Sequence, residues 1–196
     1  DDICDDEDAC NTGAEGDCTY AEENYDCDGN CTADVDCAGA CGGSAAEDCD
    51  GDCDGDATND TFGICGGDGT LQGAIDSASD GDTILVPSGT YTESISITKT
   101  INVMCDGDCT IDATGVAGSG VVIAATGATL DGFTIVGDDT MYAGVVVTPT
   151  CVNVTVSNNT IYGMTLSNPG NDSPLSYGIL AYGSSSSEMP MGSIFS

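Results

Sequence analysis

The stretch GTLQGAIDSASDGDTILVPSGTY, residues 69–91, decides the fold. Leu71, Ala74, Ile75 and Ala78 fall at i, i+3, i+4 and i+7, the spacing of one apolar helix face. A polar turn, Ser79-Asp-Gly-Asp82, then leads into the compact apolar run Ile84-Leu85-Val86, closed by Pro87, Ser88 and Gly89. One short helix and one short strand bury little by themselves. The strand-and-turn theme that follows repeats at a fixed spacing, so the segment reads as the cap and first rung of a stacked solenoid.

From Asp82 onward, β-branched residues alternate with small or polar ones between Gly, Asn and Asp turns. Ala128, Leu130 and Ile135 correspond to Val154, Val156 and Ile161, a period of 26 residues. Ile97, Ile123 and Val147 also align, and a further rung begins at Gly178-Ile-Leu-Ala181, after the loop at 167–177. Short strands recurring about every 25 residues without intervening helices predict a parallel β-helix, whose coils stack about 4.8 Å apart. A β-sandwich, the competing all-β fold, would favour hairpin turns and show no such self-similarity.

Backwards from residue 69 the chain changes character. Residues 1–65 hold ten of the thirteen cysteines, and residues 1–60 hold 21 of the 34 acidic side chains. Apolar side chains other than Ala and Cys are sparse there, so order must come from cross-links. The expected division is therefore a tract at 1–65 and a β-helix domain at 66–196. A C-x₃-C unit recurs at Cys27/Cys31, Cys37/Cys41, Cys49/Cys53 and Cys105/Cys109, all disulfide candidates. Bridges within units and bridges between successive units are both compatible with the spacing of the tract. For Cys105-Asp-Gly-Asp-Cys109, which interrupts a coil, a local bridge is expected, leaving Cys151 as the odd thiol. Thirteen cysteines with no His favour disulfides over zinc and an extracellular or cell-surface setting.

Two stretches have the form of calcium ligands. In Asp50-Gly-Asp52-Cys-Asp54-Gly55-Asp56, alternating carboxylates precede a Gly at the sixth position, as in D-x-D-x-D-G calcium loops. Thr61 stands where an EF-hand has its twelfth-position Glu, so flanking Asp48 and Asp60 are the expected additional ligands. Asp26-Cys-Asp28-Gly-Asn30 is a weaker copy. Calcium is the expected cofactor, since packing so many carboxylates without cations costs repulsion.

Charge excludes several function classes. Net charge is −33, with Lys99 the sole Lys or Arg. Nucleic-acid binding and attraction to anionic lipid both need a basic footprint. No apolar run has the length needed for membrane insertion.

The run DGDTILVPSGTYTESISITKTINV, residues 80–103, resembles the opening of the pectin-lyase-like right-handed β-helix superfamily, and LDGFTI (130–135) and VSNNTI (156–161) resemble its later coils. The likeness spans about residues 69–183. It implies an all-β, right-handed parallel β-helix of three to four coils with an N-terminal capping helix, behind an irregular disulfide- and calcium-rich segment. The acidic units at 37–43 and 63–67 resemble cysteine repeats of large secreted proteins from environmental bacteria, which implies a surface-exposed spacer.

The superfamily's enzymes resemble one another in needing Arg, Lys or His beside carboxylates. This chain has no Arg or His, and Lys99 reads as a surface or capping residue. Asp131, Asp138 and Asp139 are the carboxylates that neighbouring coils could pair, yet turn positions account for them. The sequons at Asn153, Asn158 and Asn171 carry little weight, because Asn is an ordinary turn residue. The expected function is that of a non-catalytic surface or adhesion protein, part of a longer secreted chain, binding carbohydrate or another cell-surface polymer. A polysaccharide lyase or hydrolase with its active site on further coils is the alternative. A third reading is a fibre subunit, self-associating through the open strand edges of the solenoid.

Overall fold

The computed structural model describes residues 3–165, 176–181 and 194–195. The chain forms two compact units, Asp1–Asn59 and Asp60–Ser196.

The second unit is a parallel β-solenoid of about three turns. It opens with the helix α1, Leu71–Ser77. The strands are β1 (Thr83–Tyr91), β2 (Ile95–Ile97), β3 (Asn102–Asp112), β4 (Gly118–Ile123), β5 (Thr129–Val136), β6 (Met141–Val147), β7 (Thr155–Ser157), β8 (Thr160–Tyr162), β9 (Tyr177–Ala181) and β10 (Ile194–Phe195). One sheet runs β1-β3-β5-β7-β10, with β8 also on β5, and the other runs β2-β4-β6-β9. All these pairings are parallel. Each coil thus gives one stretch to each sheet and crosses between them, which is how a chain makes parallel neighbours without crossover helices.

The expected rungs appear in register. Val103 pairs with Leu130 and Leu130 with Val156. Ile135 pairs with Ile161, and Ile97, Ile123 and Val147 form one ladder. These side chains, apart from half-buried Ile161, are fully buried around Phe133. At about 25 cal/mol per Å² of apolar surface removed from water, such ladders supply the dominant favourable term. Glycine completes the packing at two places. A Cβ on Gly120 would stand 2.9 Å from Ile135 Cγ2, and one on Gly144 would overlap Ile161 Cγ2. Both glycines lie in the second sheet and leave room for an isoleucine from the first.

The helix closes the first coil. Leu71, Ala74 and Ile75 are buried, as their spacing predicts, and Thr70 caps the N-terminus by accepting from the Gly73 N–H. Glu93 accepts from the N–H groups of Leu71 and Gln72 at 2.9 and 3.0 Å, satisfying two of the helix's orphan donors. The Lys99 ammonium donates to the carbonyls of Ile75, Asp76 and Ala78 at the other end. Lys99 is therefore a capping residue.

In Asp1–Asn59 the buried apolar residues are Cys4 and Ala9, among those described. Isolated antiparallel bridges at Tyr25/Cys31, Val35/Cys41 and Glu47/Cys53 replace extended sheet. Covalent links take the place of a core: Cys4–Cys18, Cys10–Cys27, Cys31–Cys41 and Cys37–Cys53, with Cys49 and Cys65 also disulfide-bonded.

Candidate functional site

The repeating element before the solenoid is a turn built on one aspartate. Asp48 Oδ1 accepts from the N–H groups of Asp50 and Asp52 at 3.0 and 2.9 Å, and Oδ2 accepts from Ala57 N–H at 3.1 Å. Asp36 does the same with Ala38, Ala40 and Ala45, and Asp60 with Phe62, Ile64 and Gly69. Asp26 binds the N–H groups of Asp28 and Asn30 and the Asn30 side chain. Each carboxylate fills the hub of its turn, where backbone donors would otherwise lack partners.

These contacts set the electrostatics of the tract. The Asn30 side-chain and backbone donors hold Asp26 below the usual carboxylate range. Backbone donors, led by Ala40 and Asp52 respectively, do so for Asp36 and Asp48 against a smaller desolvation effect.

The glycines of the motif belong to the same turn. A Cβ on Gly43, Gly55 or Gly67 would overlap Oδ2 of Asp36, Asp48 or Asp60. Asp54, with φ of 59°, takes the left-handed position that Gly42 and Gly66 fill at 66° and 65°. Left-handed backbone is open to Asp and Asn more than to other residues with a Cβ. In this turn Asp48 is the hub, Asp54 the left-handed residue, and Gly55 the clearance. The remaining calcium candidates, Asp28, Asn30, Asp50, Asp52 and Asp56, are exposed. Among the described residues, no group of three or more His, Cys, Asp or Glu stands close enough to hold a metal ion. The signal for the hub was in the sequence: Asp36, Asp48 and Asp60 recur every twelve residues, each seven before a Gly.

The cysteines resolve the pairing. Cys31–Cys41 and Cys37–Cys53 join one turn unit to the next. Cys105–Cys109, by contrast, closes within its unit. Cys49-Asp-Gly-Asp-Cys53 and Cys105-Asp-Gly-Asp-Cys109 are the same five residues with different bonding. In the first, the Asp48 hub and the Glu47/Cys53 bridge form a tight hairpin, and Cys53 bonds backwards to Cys37. In the second no hub precedes the unit, which bulges from β3: register slips from Met104↔Asp131 to Cys109↔Phe133. Cys151 is a free, buried thiol beside the Thr148 hydroxyl at 3.1 Å.

On the solenoid, Asp138 sits in the turn before β6 and accepts from the Thr140 hydroxyl and the Gly115 and Thr140 N–H groups. Those donors, Thr140 first, lower its pKa. Asp131 differs from the expectation of a turn residue: it lies inside β5, where Gly132 at φ 87° bends the strand. It accepts from Ser157 Oγ at 2.6 Å and Asn158 Nδ2 at 2.8 Å. Asn159 bridges β5 and the β7–β8 turn through Phe133 N–H and the Leu130 and Ser157 carbonyls. Asn153 and Asn158 are left-handed turn residues, at φ 55° and 56°. The sequon at Asn171 and most of the 167–177 loop lie outside the described residues.

No protein-family model, curated protein or solved structure matches the chain. The class is therefore defined by the fold and the turns alone. It is a parallel β-solenoid that follows a tract of disulfide-linked, aspartate-centred turns.

Proposed function

We propose that this is a non-catalytic extracellular module in which an acidic, covalently laced tract is the spacer and a pectin-lyase-like β-helix is the binding body. The observation that carries the reading is the bridge pattern. Cys31–Cys41 and Cys37–Cys53 tie each turn to its neighbour, an arrangement that persists in an oxidising compartment and gives cohesion to a segment with almost no core. The partner class is carbohydrate or another cell-surface polymer, taken up along the stacked strands. Calcium enters as a counter-ion of the exposed carboxylates. Its support is the net charge of −33 and the alternating carboxylates of Asp50, Asp52 and Asp54.

The test is retention of the whole protein on immobilised polygalacturonate, alginate, cellulose and chitin, with calcium or with chelator. Retention on at least one polymer, without release of shortened or unsaturated sugars, is the expected result. Product release would establish the lyase or hydrolase alternative instead. No retention on any surface by correctly folded protein would contradict the adhesive reading.

A further inference from the structure

A groove of about 440 Å³ runs beside the cap, lined by Phe62, Ile64, Ala78, Asp82, Ile84 and Leu85. Leu85 is 62 % exposed in the middle of β1, while its register partners in successive coils are Met104, Asp131 and Ser157. The outward row is thus most apolar at the groove. In the described residues β1 is the outermost strand of its sheet, so one of its edges lacks a strand partner. That edge is blunted from Pro87 onward, which has no N–H and whose carbonyl accepts from the Tyr91 hydroxyl at 2.7 Å. Thr83–Leu85 remains the accessible part.

The groove changes chemistry along its length. Ile64 and Ser77 also line an adjoining hollow of about 320 Å³ that carries Asp60, Asp68 and Asp76. An apolar half beside an open strand edge is thus continuous with an anionic half. We propose that this surface docks an extended peptide segment of a partner, one with an apolar side chain for the Leu85 half and lysine or arginine for the Asp60–Asp68–Asp76 half. Strand addition supplies the backbone contacts and the alternating pockets supply selectivity. Charge excludes a second copy of this chain as the occupant: its sole cationic side chain, Lys99, is bound to three carbonyls, and two chains at −33 repel. Exposed aromatic platforms suited to sugar stacking are absent from this lining; Phe62 instead packs on Tyr91 with ring centroids 5.9 Å apart.

The test is fluorescence anisotropy of the full chain with a labelled peptide of alternating valine and lysine. A serine–lysine peptide and a valine–glutamate peptide are the controls. Leu85→Ser and Ser77→Arg both alter exposed side chains, and circular dichroism with thermal melting verifies their folding. The valine–lysine peptide should bind, and each variant should weaken it about tenfold, through lost apolar burial or a misplaced positive charge. The valine–glutamate peptide should not bind. No binding of the valine–lysine peptide, equal binding by the variants, or equal affinity for the serine–lysine peptide would overturn the proposal, the last by reducing it to diffuse charge attraction.

Discussion

The Gln72 side chain pairs with Ser96 as a neighbouring strand would. Its Oε1 accepts from the Ser96 N–H at 2.6 Å, and its Nε2 donates to the Ser96 carbonyl at 3.2 Å. One amide on the cap helix thereby occupies the open edge of β2, the first strand of the second sheet. An uncovered edge invites pairing with another chain. Gln72→Ala should therefore cost about 1–2 kcal/mol in urea unfolding, from two lost hydrogen bonds. An unchanged midpoint would show that the pairing contributes nothing.

Lys99 holds the other end of the same helix. Lys99→Met keeps much of the stem while removing an ammonium that serves three carbonyls. Bonds to charged groups contribute more than neutral ones, so a loss of about 2 kcal/mol is expected in the same assay. An unchanged midpoint would contradict the capping role.

The solenoid's two internal glycines admit isoleucines from the facing sheet. Gly120→Ala pushes a methyl against Ile135 Cγ2 and the Gly144 carbonyl, at 2.9 and 3.0 Å. Overpacking of this kind costs about 1–3 kcal/mol. Gly120→Ala combined with Ile135→Leu, which has no branch at Cβ and so lacks Cγ2, should recover part of it, and a double variant no better than the single would argue against the clash.

In the tract, Gly55→Ala should disrupt the turn around Asp48, since the new methyl overlaps Oδ2. Asp48→Asn tests the hub differently: its oxygen can still accept from Asp50 and Asp52, but its amide faces the Ala57 N–H, donor against donor. Each change should lower local stability, read as faster amide exchange at Asp52 and Ala57. Exchange unchanged at both amides would contradict the hub.

The hub aspartates also give the tract a pH dependence with a definite sign. Hydrogen bonds lower the folded pKa of Asp26, Asp36 and Asp48. The stability they contribute is fully present above the unfolded value of about 3.9 and is lost as pH falls through the folded value. Amide proton shifts of Ala40 and Asp52, followed by NMR, should move with midpoints below that of a free aspartate. Midpoints at or above it would contradict the assignment.

The sequence carried the solenoid well because its signal is local and periodic. The helix face of Leu71, Ala74 and Ile75 and the Leu130/Val156 and Ile135/Ile161 rungs could be read from spacing alone. What spacing could not carry was anything that depends on which atoms meet. The same carboxylate-and-glycine spacing is compatible with a cation loop and with a backbone-filled turn, and spacing does not reveal that the Asp50, Asp52 and Ala57 N–H groups meet the Asp48 carboxylate. The two CDGDC units diverge because one follows an aspartate hub and the other interrupts a strand. Nothing in the spacing marks Gly120 and Gly144 as the places where the second sheet leaves room for Ile135 and Ile161 of the first. Asp131 stands in a pattern that suits a turn, yet the bend at Gly132 occurs within β5.

Disulfide mapping of the natively produced, unreduced protein tests the central claim most directly. The account predicts cross-linked peptides joining Cys31 to Cys41 and Cys37 to Cys53, a closed Cys105–Cys109 loop, and a single free thiol at Cys151. A Cys49–Cys53 bridge, or reduced thiols throughout residues 1–65, would contradict both the laced tract and the extracellular setting inferred from it.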